Sequence, residues 1–481
     1  MKAEDLVDIV NANYTFTRDQ YGRLFMNGAP LDPTEIAVLI YGKSKEFIPD
    51  ARLKSCIGIC SRGAKEVTSY MRVAKQGDEY FINIDGVRAY RISSNGWDIT
   101  EPNLVFLNSK AAMPLATKGG DLDLLWKYIR VDEDDKEMVL AIILECWRPN
   151  TPYPLVEVVG EKGSGKTTAV EFLSAIIDPS ASDRLSSMPI DLKGLEVCAL
   201  NSHLLAFDNV SYFKKDMQDH LCILSTGGQV SSRALYTNGE EHIVELSNPV
   251  IINGITELAS RSDLISRLVR LTLMKGEVGS ISKLKEEFKQ DLPAILGQLL
   301  NLFVKTLSSP VKNVDQSVRL QDFALLGESI KAGFTARLKQ MQGNAAGSFI
   351  DSNAAAEVIV KYFEDKPNGH TLEASVGDVW DMARAGQFTG RTNYRSPRAW
   401  GSDLTRAKSE LWDIYRIRIE WIEVRSKVRH LRITKGEELT TEDKHVLRVY
   451  EQLTHPPILE IQKVVREVAM RQVATEVLAQ V

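Results

Sequence analysis

The run Gly160-Glu161-Lys162-Gly163-Ser164-Gly165-Lys166-Thr167, followed by Thr168, has the G-x4-G-K-T spacing that lets a backbone wrap around a polyphosphate. Its glycines permit the tight path, and the loop N–H groups together with the N-terminus of the following helix face the anion. Lys166 reaches the outer phosphates, and the Thr167 hydroxyl is placed to hold Mg²⁺. The chemistry implied is nucleoside triphosphate binding. Residues 160–168 are the expected contact segment.

Downstream residues separate the classes that share such a loop. Leu204-Leu205-Ala206-Phe207-Asp208 reads as a buried strand ending in a carboxylate, the expected second Mg²⁺ anchor. Asn209 stands where many ATPases carry a second acid that activates water, so the general base is open between Asp208 and Glu161. Pro249-Val250-Ile251-Ile252-Asn253 reads as a third strand, whose amide could orient the attacking water. Between the two, Thr237-Asn238-Gly239 joins alternating segments in the manner of a β-hairpin, with Arg233 and His242 on its flanks. The stretch Arg261 to Arg270 follows. Arg267 is the first choice for an arginine finger supplied by a neighbouring subunit, with Arg261 and Arg270 as alternatives.

These residues need a scaffold. Leu155-Val156-Glu157-Val158-Val159 reads as the strand before the loop, and Thr168 to Ile177 as the helix after it, stopped by Asp178-Pro179. The spacing places an ATPase core over 151–276, preceded by a helical collar over 111–150 with helices at Asp121 to Ile129 and Asp135 to Trp147. Residues 1–110 read as an accessory α+β domain of short strands and turns, including a hairpin through Asp85-Gly86. A helical region covers 277–345, with Leu292-Pro293 opening a helix that runs from Ala294 to Leu307.

Over 346–436, helices followed by strand-like Ile417 to Ile422 and Val428 to Ile433 give the order of a winged helix. From Arg384 to Lys435 there are 13 Lys and Arg against five Asp and Glu, Arg398 and Arg406 among them. That local excess favours a face that binds nucleic-acid phosphates over the alternative of a solvated, salt-bridged surface. The remainder, 437–481, reads as an amphipathic helical tail that docks on its own domain or a neighbouring subunit.

With 481 residues, 44% hydrophobic and 26% charged, the chain has the composition of a soluble multi-domain protein. A formal net charge of −5 confines any nucleic-acid binding to local patches. Met1-Lys2-Ala3-Glu4-Asp5 leads into no long apolar segment, so no secretory signal or membrane span is expected. Five scattered cysteines fit buried reduced thiols in a reducing cytoplasm, with no metal cluster expected.

The order of phosphate loop, Phe207-Asp208-Asn209, hairpin, Asn253 and Asp263-Leu264-x-x-Arg267 resembles a superfamily 3 helicase of the AAA+ class. It is similar in particular to phage and prophage ATP-binding proteins associated with primase-polymerases. Arg148-Pro149 to Tyr153-Pro154, Leu224-Ser225-Thr226-Gly227-Gly228 and Arg261-Ser262-Asp263-Leu264 carry that likeness. The resemblance covers about 115–275 strongly. It implies an α/β P-loop NTPase core that uses ATP and Mg²⁺ and hydrolyses ATP at the subunit interfaces of a hexamer. The implied motor threads a single strand or fork of DNA during replication of a phage or mobile element. Thr237 and Asn238 depart from the Lys or His often found at such hairpin tips. Residues 1–110 carry no primase-polymerase acid motif, so synthesis would fall to a partner protein. The competing readings are an ATP-switched DNA-binding initiator or loader, and a defence ATPase on the same core.

Overall fold

The computed structural model describes residues 3–107, 111–180, 184–211, 213, 215–233, 241–254, 262–276, 279–384, 396–422 and 430–436. The chain divides into two compact units, Met1–Phe349 and Ile350–Val481. The expected tail over 437–481 lies outside the described residues. No helix among the described residues is long and apolar enough to cross a membrane.

The first unit is mixed α/β around a five-stranded parallel sheet. In spatial order its strands are Ser186–Ser187, Leu205–Val210, Val250–Gly254, Leu155–Val159 and Leu268–Thr272. Leu155, Val156, Val158, Ile251, Ile252, Val269 and Leu271 are all at most 2% exposed. Helices covering both faces of a parallel sheet account for such continuous apolar runs. The helix Lys166–Ile177 contributes Val170, Leu173, Ile176 and Ile177 to the same core.

The first 110 residues contain more helix than the reading of short strands and turns allows. Ala3–Asn13, Pro33–Ser44 and Asp50–Cys60 are helices, and they bury Leu6, Val10, Ile36, Ile40, Leu53 and Ile57 against one another. Asp32 caps the second by accepting the N–H of Thr34, with Pro33 at its first position. The antiparallel meander Val73–Gln76, Glu79–Asn83, Ala89–Ser93 and Gly96–Thr100 includes the hairpin anticipated at Asp85-Gly86. Its Val73, Tyr80, Ile82 and Ile92 belong to the core of the parallel sheet. Tyr80 packs on Phe303 with ring centroids 5.1 Å apart, and Trp97 Nε1 donates to Asn301 Oδ1 at 2.8 Å. The meander is therefore part of the body that carries the site.

Two helical expectations shift. The segment from Asp121 to Ile129 holds only a 3₁₀ turn, Asp123–Lys127, whereas Lys136–Cys146 is a buried α-helix. The helix expected to open at Pro293 begins twelve residues earlier, as Ile281–Ser308 with Pro293 inside it. Proline removes one intrahelical donor, and the carbonyl of Pro293 itself takes the N–H of Thr117 at 2.8 Å. The strap 117–120 crosses the helix here at backbone contact. A Cβ on Gly297 would lie 1.8 Å from the Thr117 carbonyl oxygen, and one on Gly120 would lie 1.9 Å from that of Ala294.

The second unit has the helix Ala354–Glu364, the strand Thr371–Ser375, the helices Val376–Arg384, Pro397–Arg406 and Lys408–Tyr415, then the strands Ile417–Ile422 and His430–Lys435. Its sheet is antiparallel in the order first, third, second. The strand Thr371–Ser375 escaped the sequence reading because its period-2 pattern lasts only five residues and runs directly into the helix that starts at Val376.

Gly297→Ala is expected to destabilise the first unit by about 1–3 kcal/mol, since the methyl group meets backbone that cannot step aside. Gly58→Ala, at an exposed position of the helix Asp50–Cys60 with open space around it, is expected to be neutral or stabilising. Urea unfolding midpoints of the two variants check this; equal midpoints would remove the argument for the strap.

Candidate nucleotide site

The loop leaves its strand at Val159 and turns through Gly160, Gly163 and Gly165 at φ 151°, 84° and 83°. A Cβ on Gly160 would lie 2.7 Å from Ser164 Oγ and 2.9 Å from the Leu273 carbonyl oxygen, so only glycine fits there. The helix then starts at Lys166 with no acidic residue in its first turn, which leaves its positive end to an anion. Lys166 Nζ donates to the carbonyls of Gly160 at 2.8 Å and Glu161 at 3.1 Å.

Thr167 Oγ1 donates to Asp208 Oδ1 at 2.9 Å. The two residues expected to hold Mg²⁺ are thus brought together by the fold, although the strand that leads into the loop and the strand that carries Asp208 are not neighbours. The strand Val250–Gly254 lies between, paired in parallel with both. It carries Asn253, which is 2% exposed. A bulge between Phe207 and Val210 interrupts the pairing, and within it Asn209 adopts φ 53°, a left-handed conformation that Asn tolerates better than most residues. The Asn209 N–H donates to Asn253 Oδ1 at 2.8 Å. Among the described residues, the buried Asn253 Nδ2 has no hydrogen-bond partner, an unspent donor on an amide whose oxygen is fixed by the residue after Asp208. Glu161 and the Asn209 side chain are both exposed.

The arginine expectations change. Arg261 lies outside the described residues. Arg267 is 4% exposed, and its Nη1 donates to the Asp263 carbonyl at 2.6 Å and meets the Asp263 carboxylate at 2.7 Å. A finger acting on a neighbouring subunit must present its guanidinium outside its own fold, and this one is turned inward. Burial alone would raise the Asp263 carboxyl, but the hydrogen bond and charge of Arg267, helped by Cys222 and Arg319, hold it below its ordinary value. Arg270 is also spent internally: its Nε meets Glu157 Oε2 at 2.7 Å, with Glu157 fully buried on the strand before the loop. That pair was missed by sequence reasoning, although a glutamate inside an otherwise apolar strand was its signal.

The hairpin forms from Gly228–Arg233 and Glu241–Leu246 as a separate two-stranded sheet, with Arg233 paired to Glu241 and Ser232 to His242. Its tip, including Thr237 and Asn238, lies outside the described residues.

In the second unit several expected nucleic-acid-binding cations already have partners, some of them at the surface. Lys435 Nζ donates to the carbonyls of Phe363 and Lys366, both at 2.8 Å, closing the end of the helix Ala354–Glu364. Arg432 pairs with Glu373, and Arg406 with Asp403 at 2.7 Å. Arg418 lies over the Trp412 ring, 4.7 Å from its centroid. Arg398 is exposed at the start of the helix Pro397–Arg406.

Residues 122–346 match the model of a family described as actinomycete integrative conjugative element replication protein. No curated protein matches the chain. Among solved structures, the chain is similar to the apo NrS-1 C-terminal region, at 11% identity and a TM-score of 0.39, over 90% of this chain and 98% of that one. It is also similar to JCV helicase, at 14% identity and a TM-score of 0.23, over 44% of this chain and 60% of the other. Both overlays are loose.

Arg267→Ala is expected to lower stability by about 1–3 kcal/mol, through the lost packing and hydrogen bonds of a buried side chain, since the half-exposed Asp263 carboxylate keeps Arg319 at 3.0 Å. Part of this loss is matched by acid. The carboxyl is depressed in the fold, so its contribution is present above the ordinary carboxylate range and disappears as pH falls through the lower folded value. A variant with an unchanged unfolding midpoint would show that Arg267 is not held as described.

Proposed function

We propose that this chain is an ATP-hydrolysing replication protein of a mobile element, an ATPase whose turnover is coupled to movement along DNA. The observation that carries this is the contact of Thr167 with Asp208 at the end of a phosphate-binding loop, with the Asn253 amide beside it. Thr167 and Asp208 would hold Mg²⁺ and Lys166 the outer phosphates. Asn253 would aim water through its unspent Nδ2. Asp208 or the exposed Glu161 would take the proton. ATP and Mg²⁺ are the cofactors of this reading.

Assembly as a ring, with six subunits as the working number, follows from the same reading. The finger that completes each site would then be an arginine other than Arg267 and Arg270. Single-stranded or forked DNA would run past the hairpin, and a separate primase-polymerase would do the synthesis. The family match over 122–346 supports a role in the replication of an integrative element.

A second reading is favoured by Asn209. An ATPase with an amide where a second acid is common would turn over slowly and suit an initiator or loader that binds a DNA site in its ATP state. The winged order of the second unit fits that role as well.

Lys166→Ala is expected to cut hydrolysis by about 10² or more while leaving the unfolding midpoint near that of the parent. Assembled parent protein should hydrolyse ATP faster with DNA present and displace a strand from a forked duplex. Hydrolysis without displacement, together with a strong preference for one duplex over random sequence at several salt concentrations, would sink the motor and leave the initiator.

A further inference from the structure

Arg130 lies ahead of the nucleotide core, between the turn Asp123–Lys127 and the helix Lys136–Cys146. Backbone contacts fix it beside the loop. Its carbonyl takes the N–H of Met274 at 2.9 Å, Val131 bridges Leu273, and Leu273 donates its N–H to Val159, the residue before Gly160. The guanidinium then lies directly over Gly276, where a Cβ would be 1.8 Å from Nη1 and 2.4 Å from Cζ. On the other side Nη2 is 3.7 Å from where a Cβ on Gly165 would stand.

Arg130 is half-buried, and among the described residues its guanidinium has no carboxylate or carbonyl partner. Lys166, at the head of the loop helix, already gives its Nζ to two loop carbonyls, whereas Lys162 and Lys275 stand exposed to solvent. A partly desolvated guanidinium left unpaired is unfavourable, and its planar fork matches phosphate oxygens. The nearest feature built for an anion is the loop it touches.

We infer that Arg130 is a phosphate-contacting residue of the nucleotide site, supplied in cis from the segment before the core. Gly276 stays free of a side chain so that the guanidinium can reach Gly165. The inference rests on the nucleotide reading above and adds to it a ligand-binding residue that no motif contains.

The test titrates a fluorescent ATP analogue and ADP, each with Mg²⁺, into the full chain and into Arg130→Ala, Arg130→Lys, Gly276→Ala and the Arg130→Ala/Gly276→Ala double variant. Arg130→Ala should weaken both ligands by about ten- to a hundredfold, with Arg130→Lys in between. Inorganic triphosphate should compete with the same loss, since the contact is to phosphate. Gly276→Ala should weaken binding in the parent, where its methyl displaces the guanidinium, and change little in Arg130→Ala. If the parent binds no nucleotide, the site reading fails and the inference falls with it. If the parent binds, Lys166→Ala weakens binding and Arg130→Ala does not, only the role of Arg130 is overturned. Should Arg130→Ala fail to fold, a folded Gly276→Ala with parental affinity overturns it equally.

Discussion

A hydroxyl and a carboxylate 41 residues apart in the chain are held 2.9 Å from each other, and the rest of the candidate site is arranged around that contact. For Thr167 to meet Asp208, the loop strand and the Asp208 strand must end at the same level with one strand between them. The register of Val250–Gly254 against both sets this level. A slip of one residue on the Asp208 strand would turn the carboxylate to the opposite face. The bulge at Asn209 acts within the same constraint, because it turns the Asn209 N–H onto Asn253 and so fixes the amide beside the carboxylate.

Behind the site, buried charges keep the layers aligned. Asp178 follows the helix Lys166–Ile177 and accepts Arg72 Nε at 2.8 Å and the N–H groups of His203 and Leu204, both at 3.1 Å. The far end of the loop helix and the entry to the Asp208 strand thereby share one carboxylate. Arg72, 1% exposed, also donates to the carbonyls of Asn83, Ala111 and Pro179. A buried cation so fully shared fits one arrangement of these segments, and removing any partner would strand a charge in the core. The meander and the nucleotide sheet therefore act as one body. Conformational change would have to come from elements outside this network.

Among the described residues, several cations of the second unit already have partners, and Arg391, Arg395, Arg425, Lys427 and Arg429 lie outside the described residues. Thirteen basic residues between Arg384 and Lys435 suggested a continuous phosphate-binding face. Lys435 instead closes a helix end, Arg432 and Arg406 pair with acids, and Arg418 stacks on an indole. Composition counts charges, whereas packing decides which of them remain available to a nucleic acid. Arg398 keeps its exposure because it stands in the first turn of its helix, on the face away from the buried Trp400 and Leu404.

The phosphate loop, the strands that end in Asp208 and Asn253, and the hairpin before Asn253 were legible in the chain itself. Glycine spacing, apolar runs and an Asn-Gly turn are local signals that need no knowledge of what lies opposite. Local signals could not reveal that Arg267 turns inward onto Asp263, that Pro293 sits inside a helix, or that residues 73–100 join the nucleotide core. Two of these are set by partners distant in sequence, a crossing strap with glycines at its contacts and an apolar helix face. Arg267 meets a carboxylate only four residues away, and it is the burial of that turn that consumes the guanidinium. The sequence determined which groups exist and the local conformation that holds them; only the tertiary structure decided which charges are consumed in burial and which face the site.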